Sequence, residues 1–485
     1  MGPVQDPAGE QPVTYSWPEQ LPSDVAAIDR SAPVENLEDA LQRAYWFNPE
    51  LLAARATKRA FDYRLPQAKA RFGPSVSYEI DYGFRRDRVE LPTGDVSVSS
   101  GWAGTVSLIA SQPVWGAGRL AANERQAVAQ IAFQRSTLRF AEQQLIFDVM
   151  FAYVGVIRDR NSVAIARDNL ELLELELRET QARRKVREST VTDVDQVRTR
   201  AEVAAAELAL AEAALEASEA LFLSVVGSSA GELAPPNPII LPVSSRVDAV
   251  SYALERNPLI EAARAREQSS RSAARAALAE RLPELNFRGR LDLAPASPYD
   301  NRRRQRGVVA ELVLSGPLFD SGLLAARHNE AKMLNDADWR LIDQALRELR
   351  AETTSAWASW RGNSAARERF AEASEAAQAA YDGASIQQKA GFRTTLDILI
   401  LARDLLTVRN RLNVSSADTY LAKARLLLAL GELEVEYLQP AATAYDPEAH
   451  LESVARDGST IIITPLMRSV LGLAAPLPAS RESRD

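Results

Sequence analysis

Through the middle of the chain, apolar residues return at alternating intervals of four and three. Leu145, Val149, Ala152 and Val156 begin the series, and Val163, Ala166, Leu170, Leu173 and Leu177 resume it, with Asp159 where one apolar residue is missing. This spacing is a coiled-coil seam. No proline falls between Ala117 and Lys185, so the pattern predicts one helix of about 69 residues, roughly 100 Å long at 1.5 Å per residue. A turn over residues 186–191 and a return helix ending at Gly227, a C-cap residue, complete a helical hairpin. Elsewhere the period falls to two. In Ser75–Tyr82 the even positions Val76, Tyr78, Ile80 and Tyr82 are apolar or aromatic and the odd ones are hydroxyl or acid, and Val106, Leu108 and Ala110 alternate in the same way. Farther on, Leu285, Phe287, Leu291 and Leu293 alternate with Asn286, Arg288, Arg290 and Asp292, and Ala310 and Leu312 flank Glu311. Strict alternation predicts four half-buried strands of about 10 to 14 residues, in two hairpins at 74–114 and 283–319.

These elements occur twice. NPELLAARA begins at Asn48 and NPLIEAARA at Asn257, 209 residues apart, and Pro74 and Pro283 keep that offset. Beyond the first strand hairpin the offset becomes 204: Gly118 with Gly322, Ala152-Tyr153 with Ala356-Trp357, Asp193 with Asp397, and Gly227 with Gly431. Two constant offsets over so long a span are the mark of a duplication, with a loop five residues shorter in the second copy. The organisation expected is a proline-rich segment at 1–34, a first repeat at 35–231, a linker at 232–245 marked by Pro235, Pro236, Pro238 and Pro242, a second repeat at 246–435, and a C-terminal segment at 436–485 that includes Ile461-Ile462-Ile463. The fold class is mainly α with a small β part.

Composition narrows the function. A formal charge of -8 disfavours a general nucleic-acid binder. With no cysteine and only His328 and His450 for imidazole, no thiolate or zinc site is expected, and both histidines read as solvated or capping residues. No glycine-rich phosphate loop, nucleophile elbow or histidine-centred arrangement points to an enzyme or a cofactor. No run of about 18 apolar residues suggests a transmembrane helix, so a membrane protein of this sequence would be a barrel. The first residues lack a basic and apolar signal segment, which fits numbering after its removal. Strands of this length match an outer-membrane span, apolar side to lipid and polar side to a wet lumen. Four strands close no barrel and lipid tolerates no open edge, so several chains must share one, and three would supply twelve strands. A soluble coiled-coil scaffold or adaptor is the alternative. It accounts for the helices and leaves the paired amphipathic hairpins unexplained.

The Asn-Pro openings, the QPVWGAGR and GPLFDSGL junctions and the tip AGFRTTLDIL resemble the TolC-like outer membrane efflux proteins over about residues 36–435. The resemblance implies a homotrimer with a twelve-stranded barrel in the outer membrane and a twelve-helix tunnel across the periplasm. Such a trimer is an exit duct working with a periplasmic membrane-fusion adaptor and an inner-membrane transporter of ABC or RND type, in type I protein secretion or multidrug efflux. The absence of a cysteine to carry lipid leans toward an unlipidated secretion-type or dual-use channel. The C-terminal segment is expected to pack around the middle of the tunnel. At the helical tips the resemblance implies a link between Asp193 and Arg393 and a pore-narrowing ring at Asp397. Gln388 stands where the family often has a tyrosine, and Ile400 replaces a second acid. Taken without the family, the Asp193–Arg393 pair is a solvated contact of little worth and Asp397 a helix cap. Arg85, Arg86 and Arg88 in one hairpin, and Arg302, Arg303, Arg304 and Arg306 in the other, are read as extracellular loop residues. They are either ordinary solvated cations or a crown suited to anionic outer-membrane lipid.

Overall fold

The structure, a computed structural model, describes residues 31–297, 300–390, 392–435 and 444–455. Most of the segment 1–34, and the Ile461-Ile462-Ile463 run, lie outside them. Helices Leu37–Phe47 (α1), Pro49–Asp62 (α2) and Arg64–Ala70 (α3) lead to strands Ser75–Glu90 (β1) and Val96–Trp115 (β2), then to Arg119–Lys185 (α4) and Val191–Val226 (α5). The second copy follows as Arg246–Arg256 (α6), Pro258–Ala279 (α7), Glu284–Ser297 (β3), Asp300–Ser315 (β4), Leu323–Lys389 (α8) and Thr395–Leu430 (α9), and a short helix Pro447–Ala455 (α10) comes last.

The duplication holds residue by residue in the helices. Both outgoing helices have 67 residues and both return helices have 36. Each outgoing helix starts from a two-residue left-handed turn, Ala117-Gly118 in one copy and Ser321-Gly322 in the other. Such a turn is the route by which a strand can swing directly into a helix. The Asn-Pro openings have a double purpose. The Asn48 side chain accepts from the Glu50 amide (2.9 Å), capping α2 ahead of the N1 proline, while its Nδ2 donates to the Val225 carbonyl (3.1 Å). Asn257 caps α7 through the Leu259 amide (2.9 Å) and donates to the Ala429 carbonyl (2.9 Å). One side chain thus starts a helix and satisfies an orphan carbonyl at the end of another.

The main core lies where these ends meet. The middle of α4, with Val149, Met150, Tyr153 and Val156, packs against α1, the end of α5 and the last turns of α9. An 18-residue window of α4 is apolar enough to cross a membrane by length and composition, which corrects the sequence expectation. Over half of that window is buried inside the structure, because this stretch of the helix lies in the core. The polar gap in the seam is satisfied: Asp159 accepts from Arg158 at 2.7 and 2.9 Å, and Asn413 of α9 donates to the Arg158 carbonyl at 2.7 Å. A smaller cluster nearer the tip joins Leu173, Val197, Ala201 and Ala204 to Leu399 of the second hairpin.

The strands form one antiparallel sheet in the order β1-β2-β3-β4. At 16, 20, 14 and 16 residues, most run longer than the alternation alone suggested. In β1 and β4 the extension comes from arginine-rich ends that carry no apolar period. His450 differs from its sequence reading. Its Nδ1 lies 2.9 Å from the buried Asp62 carboxylate, which also accepts from Lys58 Nζ at 2.8 Å. Lys58 donates to the Pro447 carbonyl as well, so a buried charge pair on α2 anchors α10.

Candidate functional site

Two regions carry the chemistry: the helical tips at one end and the sheet at the other. At the tips each return helix opens with a capping box. The Asp193 amide donates to Thr190 Oγ1 (3.2 Å), and Asp193 Oδ2 accepts from the Thr190 amide (2.8 Å) and from Ser189 Oγ (3.1 Å). In the second copy the Asp397 amide donates to Thr394 Oγ1 (3.3 Å), and Asp397 Oδ2 accepts from the Thr394 amide (3.1 Å) and hydroxyl (2.9 Å). In both copies hydrogen bonds from the threonine backbone and then its side chain hold the carboxyl below the usual carboxylate range.

Arg393 sits in the second tip turn, where Nε donates to Gln387 Oε1 at 2.9 Å. Within one protomer it does not meet Asp193, because each acid is held against the start of its own helix. Gln388 is buried, and its Nε2 donates to Glu176 Oε1 on α4 at 3.0 Å. Glu176 also accepts from Arg183 at 3.4 Å. This bond ties the two hairpins together just above the tips. Sequence reasoning missed Glu176, whose only signal is its place three residues beyond the seam residue Leu173.

In the sheet, register decides what each side is made of, since directly opposed residues of an antiparallel pair point the same way. Val76, Tyr78, Ile80, Tyr82 and Phe84 oppose Ala110, Leu108, Val106, Gly104 and Trp102. Leu108 and Val106 oppose Leu291 and Leu293, and Leu291, Phe287 and Leu285 oppose Val308, Leu312 and Leu314. One side of the sheet is therefore a continuous apolar surface, and Tyr78, Ile80, Tyr82, Val308, Leu312 and Leu314 on it are 65–78 % exposed. Its upper margin is aromatic. Tyr82 stacks on Trp102 with ring centroids 5.5 Å apart, lying across Gly104, where a Cβ would come within 3.3 Å of the tyrosine ring.

The other side is polar. Ser107 Oγ donates to Asp292 Oδ1 (2.6 Å), Arg290 donates to both (2.6 and 3.0 Å), and Arg288 lies 3.6 Å from Glu311. The sequence reading of the arginines as loop residues is corrected. Arg85, Arg86 and Arg88 lie within β1, and Arg302, Arg303, Arg304 and Arg306 within β4. The side chains of Arg302 and Arg303 fall outside the described residues. Long strands, and not loops, carry the cations past the apolar band. Among the described residues no cluster of three or more His, Asp or Glu side chains could hold a metal.

The profile of the Outer membrane efflux protein family matches residues 38–228 and 249–432, one block per copy. Over 440 residues the chain is 28 % identical to the outer membrane efflux protein BepC of Brucella suis, covering 90 % of this chain and 93 % of that protein. It is 22 % identical over 408 residues to the outer membrane protein TolC of Vibrio cholerae, covering 82 % of this chain and 91 % of that one. Among solved structures, the outer-membrane channel OprN superposes with a TM-score of 0.72 at 20 % identity, over 84 % of this chain and 95 % of that one. The open state of the MtrE outer membrane channel of Neisseria gonorrhoeae gives 0.69 at 18 % identity, over 82 % and 89 %.

Proposed function

The chain belongs to the outer membrane efflux protein family and is an outer membrane channel of the TolC type, not an enzyme; on this basis we propose that it works as a homotrimer whose twelve strands close one barrel. The observation that carries this reading is the sheet. It has four strands with both edges, β1 and β4, unpaired among the described residues, and an exposed apolar side that water disfavours. Unpaired strand edges are untenable in lipid. Joining β4 of one copy to β1 of the next removes every edge, and a rotation that closes does so with a finite ring. A soluble scaffold would have no use for this surface.

Within the trimer the outgoing helices, about 100 Å each at 1.5 Å per residue, carry the lumen away from the membrane toward a periplasmic adaptor and an inner-membrane transporter. At the tips, Asp193 of one copy reaches Arg393 of a neighbour and Asp397 forms a ring of carboxylates that favours cations. Capping and gating are compatible. Both capping bonds fall on Oδ2 in each aspartate, which leaves Oδ1 open for a second partner.

The absence of cysteine from the chain makes the ring directly testable. One cysteine introduced in β4, combined with cysteines scanned along β1, gives intermolecular disulfides and a ladder that stops at the trimer. Failure to cross-link at any position, or a ladder continuing to higher species, contradicts the closed ring.

A further inference from the structure

We propose that each seam of the barrel carries a binding site for the phosphoryl groups of an anionic outer-leaflet lipid, formed by Arg86 and Arg88 of one copy with Arg304 and Arg306 of the next. This rests on the trimeric channel reading. Register gives the first part of the evidence. Arg86 and Arg88 oppose Ser100 and Val98, continuing the row that holds Phe84 and Trp102, while Arg304 and Arg306 oppose Pro295 and Leu293, continuing the row that holds Val308 and Leu291. All four are thus on the apolar side, Arg86 and Arg88 following Phe84 along β1 and Arg306 and Arg304 following Val308 along β4. Arg85, one residue out of phase, points to the polar side.

Partner chemistry gives the second. Arg288 and Arg290 on the polar side are matched by Glu311 and Asp292. The four arginines on the apolar side make no ion pair or side-chain hydrogen bond among the described residues, and all are exposed. Among the side chains described on that side, Glu90 is the one acid. Guanidinium groups at the edge of an apolar surface place their stems along it and their forks at headgroup level, where a phosphate accepts two parallel hydrogen bonds from each. The aromatic margin of Tyr82, Phe84 and Trp102 fixes that level, as interfacial girdles do.

Topology gives the third. β1 and β4 are the edge strands, so ring closure sets the pair on β1 and the pair on the neighbouring β4 along one seam, each pair following the last apolar residue of its own row. The inner-strand positions opposite the four arginines are Ser100, Val98, Pro295 and Leu293, none of them charged. Four like charges gathered at a seam repel one another unless an anion lies between them. A lipid with two phosphoryl groups meets that demand and bridges the copies.

The test is a native mass-spectrometric titration of detergent-purified protein with diphosphorylated lipid A, and in parallel with its dephosphorylated form. Wild-type trimers retain lipid A, and the combined Arg86→Gln, Arg88→Gln, Arg304→Gln and Arg306→Gln variant binds it more weakly by about a hundredfold or more, from the loss of roughly a fivefold factor at each of the four arginines. Arg85→Gln, on the polar side, binds as the wild type does, and the fourfold Arg→Lys variant, which keeps the charge and loses the paired hydrogen bonds, binds between the wild type and the glutamine variant. The proposal is overturned if the glutamine variant binds undiminished, or if wild-type trimers take the dephosphorylated lipid equally well, a comparison that needs no variant to fold. Trimers without phosphate-dependent binding refute the lipid site alone. Absence of trimers refutes the ring and the seam together.

Discussion

Among the described residues, Asp193 is engaged only at Oδ2 and Arg393 only at Nε; each has further hydrogen-bonding capacity to offer a neighbouring copy. Asp193→Ala would remove both a gate partner and a helix cap, so a change in gating could come from a frayed tip. Arg393→Ala leaves both capping boxes intact and is the sharper test. It should raise the open-to-closed ratio of single channels by at least about fivefold, the low end of coupling between distinct sites. Unchanged gating would mean that the Gln388–Glu176 bond and its surroundings hold the tips. A different residue sets a pH dependence in the core. Burial pushes the Glu142 carboxyl up to about 7 from 4.5, opposed by Arg55, which lies 3.5 Å away between the faces of Tyr45, Trp46 and Tyr445. Because the folded value is the higher, the stability from this group is complete below about 4.5 and is lost as pH rises through about 7. Glu142→Gln should therefore flatten the fall in melting temperature between pH 5 and 8, a leg worth on the order of 3 kcal/mol at most. Parallel profiles for the two proteins would place the titration elsewhere.

The paired helices show what duplication keeps and what it alters. Gly227 and Gly431 end the two return helices at φ 81 and 78, where an alanine costs about 1–2 kcal/mol in either copy. Space around them differs. A Cβ on Gly227 meets nothing within 4 Å, whereas one on Gly431 would lie 2.8 Å from Asn257 Cα and 3.1 Å from the Arg256 carbonyl. Gly431→Ala should consequently destabilise by a further increment of about 1–3 kcal/mol over Gly227→Ala, seen as the larger drop in melting temperature; equal drops would mean that α6 and α7 yield without cost. The long helices were legible in the sequence because their ends are written in local chemistry at a constant offset: Gly118 and Gly322, Thr190 with Asp193, Thr394 with Asp397, Gly227 and Gly431. The strands were legible only where apolar residues alternate. Past Phe84 the outward positions become Arg86, Arg88 and Glu90, the hydrophobic period vanishes, and a strand continuing in the same register looks like a loop. Glu176 was hidden for a related reason. A charged residue beside a seam reads as solvated until the second hairpin is placed against it.

For the whole molecule, one duplicated unit builds two environments along a single axis. The sheet turns an apolar side outward and keeps an ion-paired polar side, with Ser107, Arg290 and Asp292 at its middle. The helices extend this structure far beyond the thickness of a bilayer. The core around Tyr153 and Phe222 sits between the two, with α10 held to α2 by Asp62 and Lys58. The division of labour on the proposed reading follows from these positions: the sheet meets lipid, the tips meet partner proteins, and the buried middle keeps the two ends in register. Its most direct test is to reconstitute the purified protein in planar lipid bilayers and record single-channel conductance, with the mass of the particle determined in the same detergent. Trimers that insert and conduct ions in discrete steps, with a preference for cations, are the predicted result. A monomer that leaves the bilayer silent would contradict the shared barrel.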